Sequence, residues 1–194
     1  MRRIAETFWG SAAAADYSTY EGKALASKKI QDRWHALESL VLCDLYWPVI
    51  CSGNTADHQG DSTMESQVLS AITGRKIDEA ELNIIGERIF NLQRAILMRQ
   101  GWGGRSGDRL LDYLHNEPLQ YLRFNRECIV LGRDGEAASR KGAVVDRVEF
   151  ERMKDEYYTL RSWDVASGLQ TRAGLEKLEL KDIADDLKSR GLLK

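Results

Sequence analysis

The stretch ELNIIGERIFNLQRAILMRQG, residues 81–101, decides the predicted fold class. Its large apolar residues recur at alternating spacings of three and four, which places them on one face of an α-helix. Asp78 precedes the stretch as an N-cap, and Gly101 suits the left-handed conformation in which helices commonly end. The residues expected on the buried face are Leu82, Ile85, Ile89, Leu92 and Ile96.

Helical periodicity also dominates the chain before this stretch. A long helix is predicted from Lys23 to Trp47, because Pro48 disfavours the helical conformation in the residue before it. Ser62 and Glu65 then fit a capping box that opens the next helix. The residues expected to be buried are Leu25, Ile30, Trp34, Leu37, Val41 and Leu45 in the first helix, and Met64, Val68, Ala71 and Ile72 in the second.

The remainder of the chain shows the same helical pattern in shorter elements. CIVL, residues 128–131, is the exception, because it resembles a short strand. With only two prolines and little strand-like alternation, the sequence predicts an all-α fold, a multihelical orthogonal bundle that forms a single helical domain over residues 1–194. The remaining helices are predicted at residues 109–115, 146–160, 172–178 and 181–190.

Charge and composition exclude several classes of function. Lys and Arg number 28 against 30 Asp and Glu, and the two signs are interleaved along the chain. Such a chain lacks the basic face that attracts nucleic acids or anionic membranes. No run reaches the roughly 18 apolar residues of a membrane span, and the start lacks the unbroken apolar core of a secretory signal. We therefore expect a cytoplasmic protein with no nucleic-acid or membrane partner.

Three cysteines, Cys43, Cys51 and Cys128, are candidates for metal chemistry. They form neither an even set nor a CxxC pair, so structural disulfides are not expected. A [4Fe–4S] cluster normally takes four thiolates, so this chain by itself is not expected to hold a complete one. From the residues alone, Cys43 on a helix with an apolar face is expected to be a small buried hydrophobic residue.

The histidines are weaker candidates. His35, His58 and His115 lie far apart in sequence and lack the spacing of metal ligands. His58 shares a polar loop with Asp57 and Asp61, where solvated side chains are expected more often than a metal site.

Two further stretches have structural interpretations. The glycines of GWGGRSG, residues 101–107, do not follow a strand, so a phosphate-binding loop is not favoured. In RSWDVASG, Trp163 is interpreted as a buried aromatic anchor, with Arg161 and Asp164 in a charge-assisted hydrogen bond beside it. No pair of a nucleophile and a base is visible, so no catalytic residue is assigned.

Several separated stretches resemble the C-terminal part of the aldehyde ferredoxin oxidoreductases, a family of tungsten- or molybdenum-pterin enzymes. Residues 86–101 are similar to the family's long helix, and residues 155–187 are similar to its closing pattern, with Ser162 where that pattern has glycine. The resemblance covers nearly the whole chain and implies the fold of that family's C-terminal helical domains. Three shorter matches, YEGKA (20–24), VLCD (41–44) and AITG (71–74), fall in the expected order.

The family's D-x-x-G-L-C motif corresponds to the residues from Glu38 to Cys43. In the family, the aspartate and the backbone after it hold the pterin, and the cysteine is the fourth ligand of a [4Fe–4S] cluster. The resemblance therefore implies that Glu38, Leu42 and Cys43 bind cofactors, with Cys43 as the metal ligand. Val41 replaces the glycine of the motif, which crowds any close approach of the backbone to a pterin.

The resemblance implies oxidation of an aldehyde to a carboxylic acid, with electrons passed through the [4Fe–4S] cluster to ferredoxin. The family's N-terminal domain and its three closely spaced cysteines have no counterpart here, so we expect the missing domains or a separate catalytic subunit as a partner. This chain alone is expected to be inactive and to bind neither the cluster nor the tungsten (or molybdenum) bispterin. The alternatives are a non-catalytic helical module that binds a partner and, resting only on the glycine stretch, an anion- or nucleotide-binding helical domain.

Overall fold

The computed structural model describes residues 2–42, 56 and 61–194. These residues are mostly helical, which confirms the predicted fold class. Short 3₁₀ helices lie at Ala12–Ala15 and Gly104–Ser106, and the strands are β1 (Ile129–Leu131) and β2 (Ala137–Ser139). The α-helices are α1 (Arg2–Trp9), α2 (Lys23–Ser39), α3 (Met64–Thr73), α4 (Glu79–Arg99), α5 (Tyr113–Asn116), α6 (Arg147–Leu160), α7 (Arg172–Lys177) and α8 (Lys181–Ser189).

The chain divides into two compact units. The first comprises Met1–Ala26 and Gly103–Leu169, and the second comprises Ser27–Trp102 and Gln170–Lys194. Helix α2 therefore begins in the first unit and continues in the second. The organisation as a single helical domain stays a prediction.

Small side chains pack the N-terminal elements of the first unit. The ammonium group of Lys23 donates hydrogen bonds to the carbonyl oxygens of Ala13 at 2.7 Å and Asp16 at 2.6 Å. It thereby supplies a second donor to Ala13, whose carbonyl oxygen also accepts from the N–H of Asp16 at 3.0 Å, and ties the end of the first 3₁₀ helix to the start of α2. The buried cluster consists of Ala5, Ala14, Ala15 and Ala26, against which Trp9 and Leu131 pack.

A small hairpin also belongs to the first unit. The strand predicted at CIVL is confirmed as β1, which pairs antiparallel with β2 so that Ile129 faces Ser139 and Leu131 faces Ala137. Strand β2 was not predicted, because three residues are too few to show an alternating pattern.

In the second unit, the backbones of α2 and α4 come into close contact at Gly86. A Cβ at Gly86 would overlap the carbonyl oxygen of Asp32 and lie 2.8 Å from its carbonyl carbon. Lys28 of α2 links the two helices through its ion pair with Glu87 of α4 at 2.8 Å, and it also pairs with Asp32 of its own helix at 2.9 Å. Glycine at position 86 therefore lets the two backbones approach each other.

The predicted buried face of α2 is confirmed at Leu37, which is 2% exposed, but was wrong at Ile30, Trp34 and Val41, and Leu45 lies outside the described residues. Ile30 and Trp34 are each 43% exposed, whereas Asp32 and Ala36, on the other side of the helix, are buried. Periodicity identified an apolar stripe, but the backbone approach at Gly86 decides which side of α2 faces α4.

Helix α3 also departs from its predicted start. Its N-cap is Thr63, which makes no side-chain capping bond, and Ser62 instead donates a hydrogen bond to Glu79 at 2.9 Å. Glu65 is buried and forms an ion pair with Arg33 at 3.1 Å, so it is not available for a capping box. The residues predicted to be buried are exposed at Met64, Ala71 and Ile72.

The C-terminal helices are confirmed close to their predicted bounds. Thr171 caps α7 by accepting a hydrogen bond from the N–H of Gly174 at 3.1 Å. Arg88 of α4 donates to the carbonyl oxygen of Leu178 at 2.8 Å and so joins α4 to the end of α7. The core of this region consists of Ala95, Leu175, Leu178, Leu180, Ala184 and Leu187.

Replacing Gly86 with alanine tests the contact of α2 with α4. We expect Gly86→Ala to lower the free energy of unfolding by at least about 2 kcal/mol, because overpacking outweighs the better helix propensity of alanine. Urea unfolding followed by circular dichroism measures the change. Asn83→Ala, at an exposed position of the same helix, is the control and should change stability by no more than about 0.5 kcal/mol. Equal stability of Gly86→Ala and the unmodified protein would contradict the close backbone contact.

The buried carboxyl group of Glu65 is expected to make the stability of the protein depend on pH. Burial raises the pKa of Glu65 above its ordinary value, although a backbone hydrogen bond and the charge of Arg33 act in the opposite direction. The folded state therefore holds this proton more tightly than the unfolded state, and stability from this group falls as pH rises through the raised pKa.

We expect the stability of the unmodified protein relative to Glu65→Gln to decrease as pH is raised from about 4, where a free carboxyl titrates, to neutrality. Thermal unfolding at a series of pH values measures it. Glu81→Gln, which removes a carboxylate from the surface of α4, controls for the loss of one charge. An increase in that relative stability with pH would show that the ion pair with Arg33 outweighs burial.

Candidate functional site

The cysteine motif, from Glu38 to Cys43, begins in the last turn of α2. The N–H of Leu42 donates to the carbonyl oxygen of Leu37 at 3.0 Å, and the N–H of Val41 donates to that of Glu38, also at 3.0 Å. This pair of bonds is the Schellman motif, in which the residue that donates the shorter-range bond has a left-handed backbone conformation. Val41 has a φ of 59° accordingly. The helix therefore ends at Ser39 and not at Trp47 as predicted.

The structure places two of the three predicted cofactor-binding residues. Glu38 is exposed in the last turn of α2, and Leu42 is half-buried. Cys43 lies outside the described residues, so its role as a metal ligand stays a prediction. The backbone N–H groups of Val41 and Leu42 both close the helix end. The carboxylate of Glu38 is exposed and thus accessible to a ligand.

The position of Val41 does not fit a pterin held through the backbone. The side chain of Val41 is 91% exposed. It projects from the position where the family motif has a glycine, so its methyl groups occupy space that a glycine would leave open. A close contact between the backbone here and a flat cofactor is therefore obstructed.

The same helix end recurs elsewhere in the chain. In each case the N–H of an apolar residue donates to the carbonyl oxygen five residues earlier, and the residue before it is left-handed. Ser162, the other departure from a glycine of the family pattern, occupies one of these positions with a φ of 55°. The pairs are Leu42 with Leu37 (3.0 Å), Trp102 with Leu97 (3.0 Å), Trp163 with Tyr158 (2.8 Å), Leu180 with Leu175 (3.0 Å) and Leu192 with Leu187 (2.9 Å).

The other metal candidates are not brought together among the described residues. Residues 2–42, 56 and 61–194 contain no group of three or more His, Cys, Asp or Glu side chains that could hold a metal ion. Cys128 is fully buried, His35 packs against Phe90 with ring centroids 5.3 Å apart, and His115 Nδ1 lies 2.7 Å from the carbonyl oxygen of Val145. Cys51 and His58 lie outside the described residues.

The glycine stretch has a structural explanation. The N–H of Arg105 donates to the carbonyl oxygen of Ser167 at 2.8 Å, and a Cβ at Gly104 would overlap that same oxygen. A Cβ at Gly168 would lie 2.7 Å from the backbone nitrogen of Arg105. These glycines allow two backbone segments of the first unit to pack directly against each other.

An aromatic cluster ends α6, as predicted for Trp163. Trp163 and Tyr158 are 5% and 2% exposed, and their ring centroids lie 5.8 Å apart. Arg161 donates to the hydroxyl of Tyr157 at 3.0 Å, whereas Asp164 accepts from the N–H of Ser167 at 2.8 Å. The predicted anchor is confirmed, and the predicted hydrogen bond between Arg161 and Asp164 stays a prediction.

Comparison with known proteins identifies the family. The family described as "Aldehyde ferredoxin oxidoreductase, domains 2 & 3" matches residues 2–180. The chain belongs to the aldehyde ferredoxin oxidoreductase family. Its members are oxidoreductases built from several domains, so other domains or subunits accompany a region of this kind. The cysteine motif from Glu38 to Cys43, which includes the helix end at Val41, lies within the matched residues.

A solved structure shows a similar fold. It is described as "Active site complex BamBC of Benzoyl Coenzyme A reductase in complex with 1,5 Dienoyl-CoA". The TM-score is 0.56 at 17% sequence identity, and the match covers 92% of this chain and 22% of the other. This chain thus spans about a fifth of the length of that neighbour, and at this identity the likeness concerns the fold alone. In the described part of this family member, no helix is long and apolar enough to cross a membrane.

Val41 provides a test of the helix end. A left-handed conformation costs a residue with a Cβ roughly 1–2 kcal/mol, and glycine avoids this cost. We therefore expect Val41→Gly to raise the free energy of unfolding by about 1 kcal/mol, although the more flexible unfolded chain offsets part of the gain. Chemical denaturation measures the change. The same substitution at Val148, an exposed position within α6, should lower stability by a few tenths of a kcal/mol. If both substitutions destabilise the protein, Val41 is not strained.

Proposed function

We propose that this chain is the helical part of an aldehyde ferredoxin oxidoreductase-type enzyme in the cytoplasm. The complete enzyme would oxidise an aldehyde to a carboxylic acid and pass two electrons to ferredoxin. The observation that carries the proposal is the family match over residues 2–180, together with the cysteine motif at the end of α2. The substrate class follows the family, because no residue of the described part is assigned to substrate.

The residues of this chain fit the implied cofactors only in part. A tungsten or molybdenum bispterin and a [4Fe–4S] cluster would supply the redox chemistry when bound. The chain has three cysteines in total, one fewer than the four thiolates that such a cluster normally takes. We propose that Cys43 supplies one thiolate and that another domain or subunit supplies the remaining ligands.

The chain's own contribution to this site would come from the end of α2. The carboxylate of Glu38 is exposed there and can accept hydrogen bonds from a ligand. Leu42 is held by its bond to Leu37, and this bond fixes the direction in which the chain leaves the helix towards Cys43. The exposed side chain of Val41 would exclude water from the same surface.

A second candidate is a non-catalytic helical module that binds a partner. It is favoured by the exposure of Ile30 and Trp34, which lie one turn apart on the same side of α2. Large apolar side chains exposed next to one another commonly mark interaction surfaces. The two candidates share a partner and differ in whether Cys43 binds iron.

Co-expression tests the role of Cys43. The chain would be produced anaerobically with a polypeptide of the same family that carries three closely spaced cysteines. Iron and sulfide would then be measured in the purified complex, together with the visible absorption of the cluster. We expect Cys43→Ser to remove or strongly reduce the cluster, because one of four thiolate ligands is lost. Cys51→Ser is the matched control and should retain it.

The outcomes separate the two candidates. A complex whose cluster content is unchanged in Cys43→Ser would overturn the ligand assignment and favour the partner-binding module. The proposed reaction would be overturned if a complex that contains the cluster did not transfer electrons from any aldehyde to an electron-accepting dye. If no complex forms, both candidates fail in the form proposed here.

A further inference from the structure

The aromatic cluster at the end of α6 contains three side chains that can be oxidised by one electron. Tyr157, Tyr158 and Trp163 lie in mutual contact, with ring centroids 5.8 to 6.2 Å apart. Such contacts stabilise a core, and this role accounts for the burial of Trp163 and Tyr158. Packing does not account for the polar and charged groups that surround Tyr158.

The hydroxyl of Tyr158 has a defined proton acceptor. It donates a hydrogen bond to Oδ2 of Asp108 at 2.6 Å, a short distance typical of a bond between a hydroxyl and a carboxylate. The side chain of Tyr158 is only 2% exposed, so water does not compete freely for this bond. Lys154 donates to the backbone carbonyl oxygen of the same aspartate at 2.9 Å and helps to hold it in place.

Positive charges determine which oxidised form of Tyr158 is favoured. The guanidinium group of Arg105 lies 5.5 Å from the centroid of the Tyr158 ring, and that of Arg161 lies 5.2 Å from the Tyr157 ring. Cations over an aromatic face are stabilised by its electron density, so they oppose any positive charge that oxidation places on the ring. Loss of the phenolic proton to Asp108 removes that charge.

We propose that Tyr158 is a one-electron oxidation site of this protein, with Asp108 as its proton acceptor. A strong one-electron oxidant, such as an oxygen-derived radical, takes one electron from the phenol and is itself reduced. The O–H bond of Tyr158 breaks, and its proton passes along the hydrogen bond to the carboxylate of Asp108. The products are a neutral phenoxyl radical and a neutral carboxylic acid. Return of one electron from a reductant, with the same proton, restores the pair.

The neighbouring rings extend the site. Trp163 and Tyr157 lie close enough to Tyr158 to exchange an electron with it, whereas the buried position of Tyr158 keeps the radical from reacting with other molecules. An oxidising equivalent that arises at any of the three rings is expected to settle on Tyr158, because its hydroxyl donates directly to the carboxylate of Asp108 and can lose its proton there. The cluster would thus hold an oxidising equivalent within the first unit.

Photochemical oxidation of the full chain tests the proposal. Ruthenium tris-bipyridine would be oxidised by a light flash in the presence of persulfate, and radicals would be followed by electron paramagnetic resonance. We expect a tyrosyl radical that outlives those of surface tyrosines, and its formation should slow in D₂O. Tyr158→Phe keeps the ring in the cluster and should abolish the long-lived signal. Tyr121→Phe removes a tyrosine that is 69% exposed and should leave the signal unchanged.

Asp108→Asn provides the second variant, which does not depend on the folding of Tyr158→Phe. It removes the proton acceptor and should abolish both the long lifetime and the isotope effect while all tyrosines remain. A long-lived tyrosyl signal that is equally strong in Tyr158→Phe, or unaffected in Asp108→Asn, would overturn the proposal. The absence of any long-lived tyrosyl radical in the unmodified protein would also overturn it. The measurement needs no cluster or partner, so its result is independent of the proposed enzyme function.

Discussion

The close contact of Gly86 with the carbonyl group of Asp32 is the constraint on which the arrangement of the second unit depends. It brings the backbones of α2 and α4 together, and the ion pair of Lys28 with Glu87 links the same two helices. Because α2 meets α4 along this side, Ile30 and Trp34 are left partly exposed on the other. One glycine thus determines which face of α2 is available to another protein or domain.

Helix ends form the second organising feature. Each of the helices α2, α4, α6, α7 and α8 ends with a hydrogen bond from the N–H of an apolar residue to the carbonyl oxygen five residues earlier. Three of these ends place a residue other than glycine in the left-handed position, with a modest cost in stability at each. Val41 and Ser162 stand where the family pattern has glycine, and both adopt the left-handed conformation that glycine favours. The side chain of Val41 therefore adds exposed apolar surface at this helix end while the backbone still makes the left-handed turn.

Much of the fold follows from the sequence, but the packing does not. The N-caps at Asp78 and Asp146 are confirmed, because a carboxylate followed by a helical pattern is a local signal that needs no knowledge of distant residues. The orientation of α2 and the ion pair of Glu65 could not be predicted in this way. Both depend on partners far away in the sequence, and periodicity gives an apolar stripe without saying what covers it.

The candidate site was predictable to the extent that it resembles a known motif. Glu38 and Leu42 were identified through the family pattern, whereas periodicity alone placed the motif inside a longer helix. The signal that could have corrected the helix bound was the glycine of the family motif, since a glycine just beyond a helix commonly marks its end. The pair of Tyr158 and Asp108 had no sequence signal, because fifty residues separate its members.

The exposed stripe of α2 has a consequence for the behaviour of the chain in solution. A formal net charge of −2 gives copies of the chain little electrostatic repulsion at neutral pH. Ile30 and Trp34, each 43% exposed, then present apolar surface that the described residues of the second unit do not cover fully. The colloidal stability of the chain at high concentration therefore depends on whatever covers this face of α2.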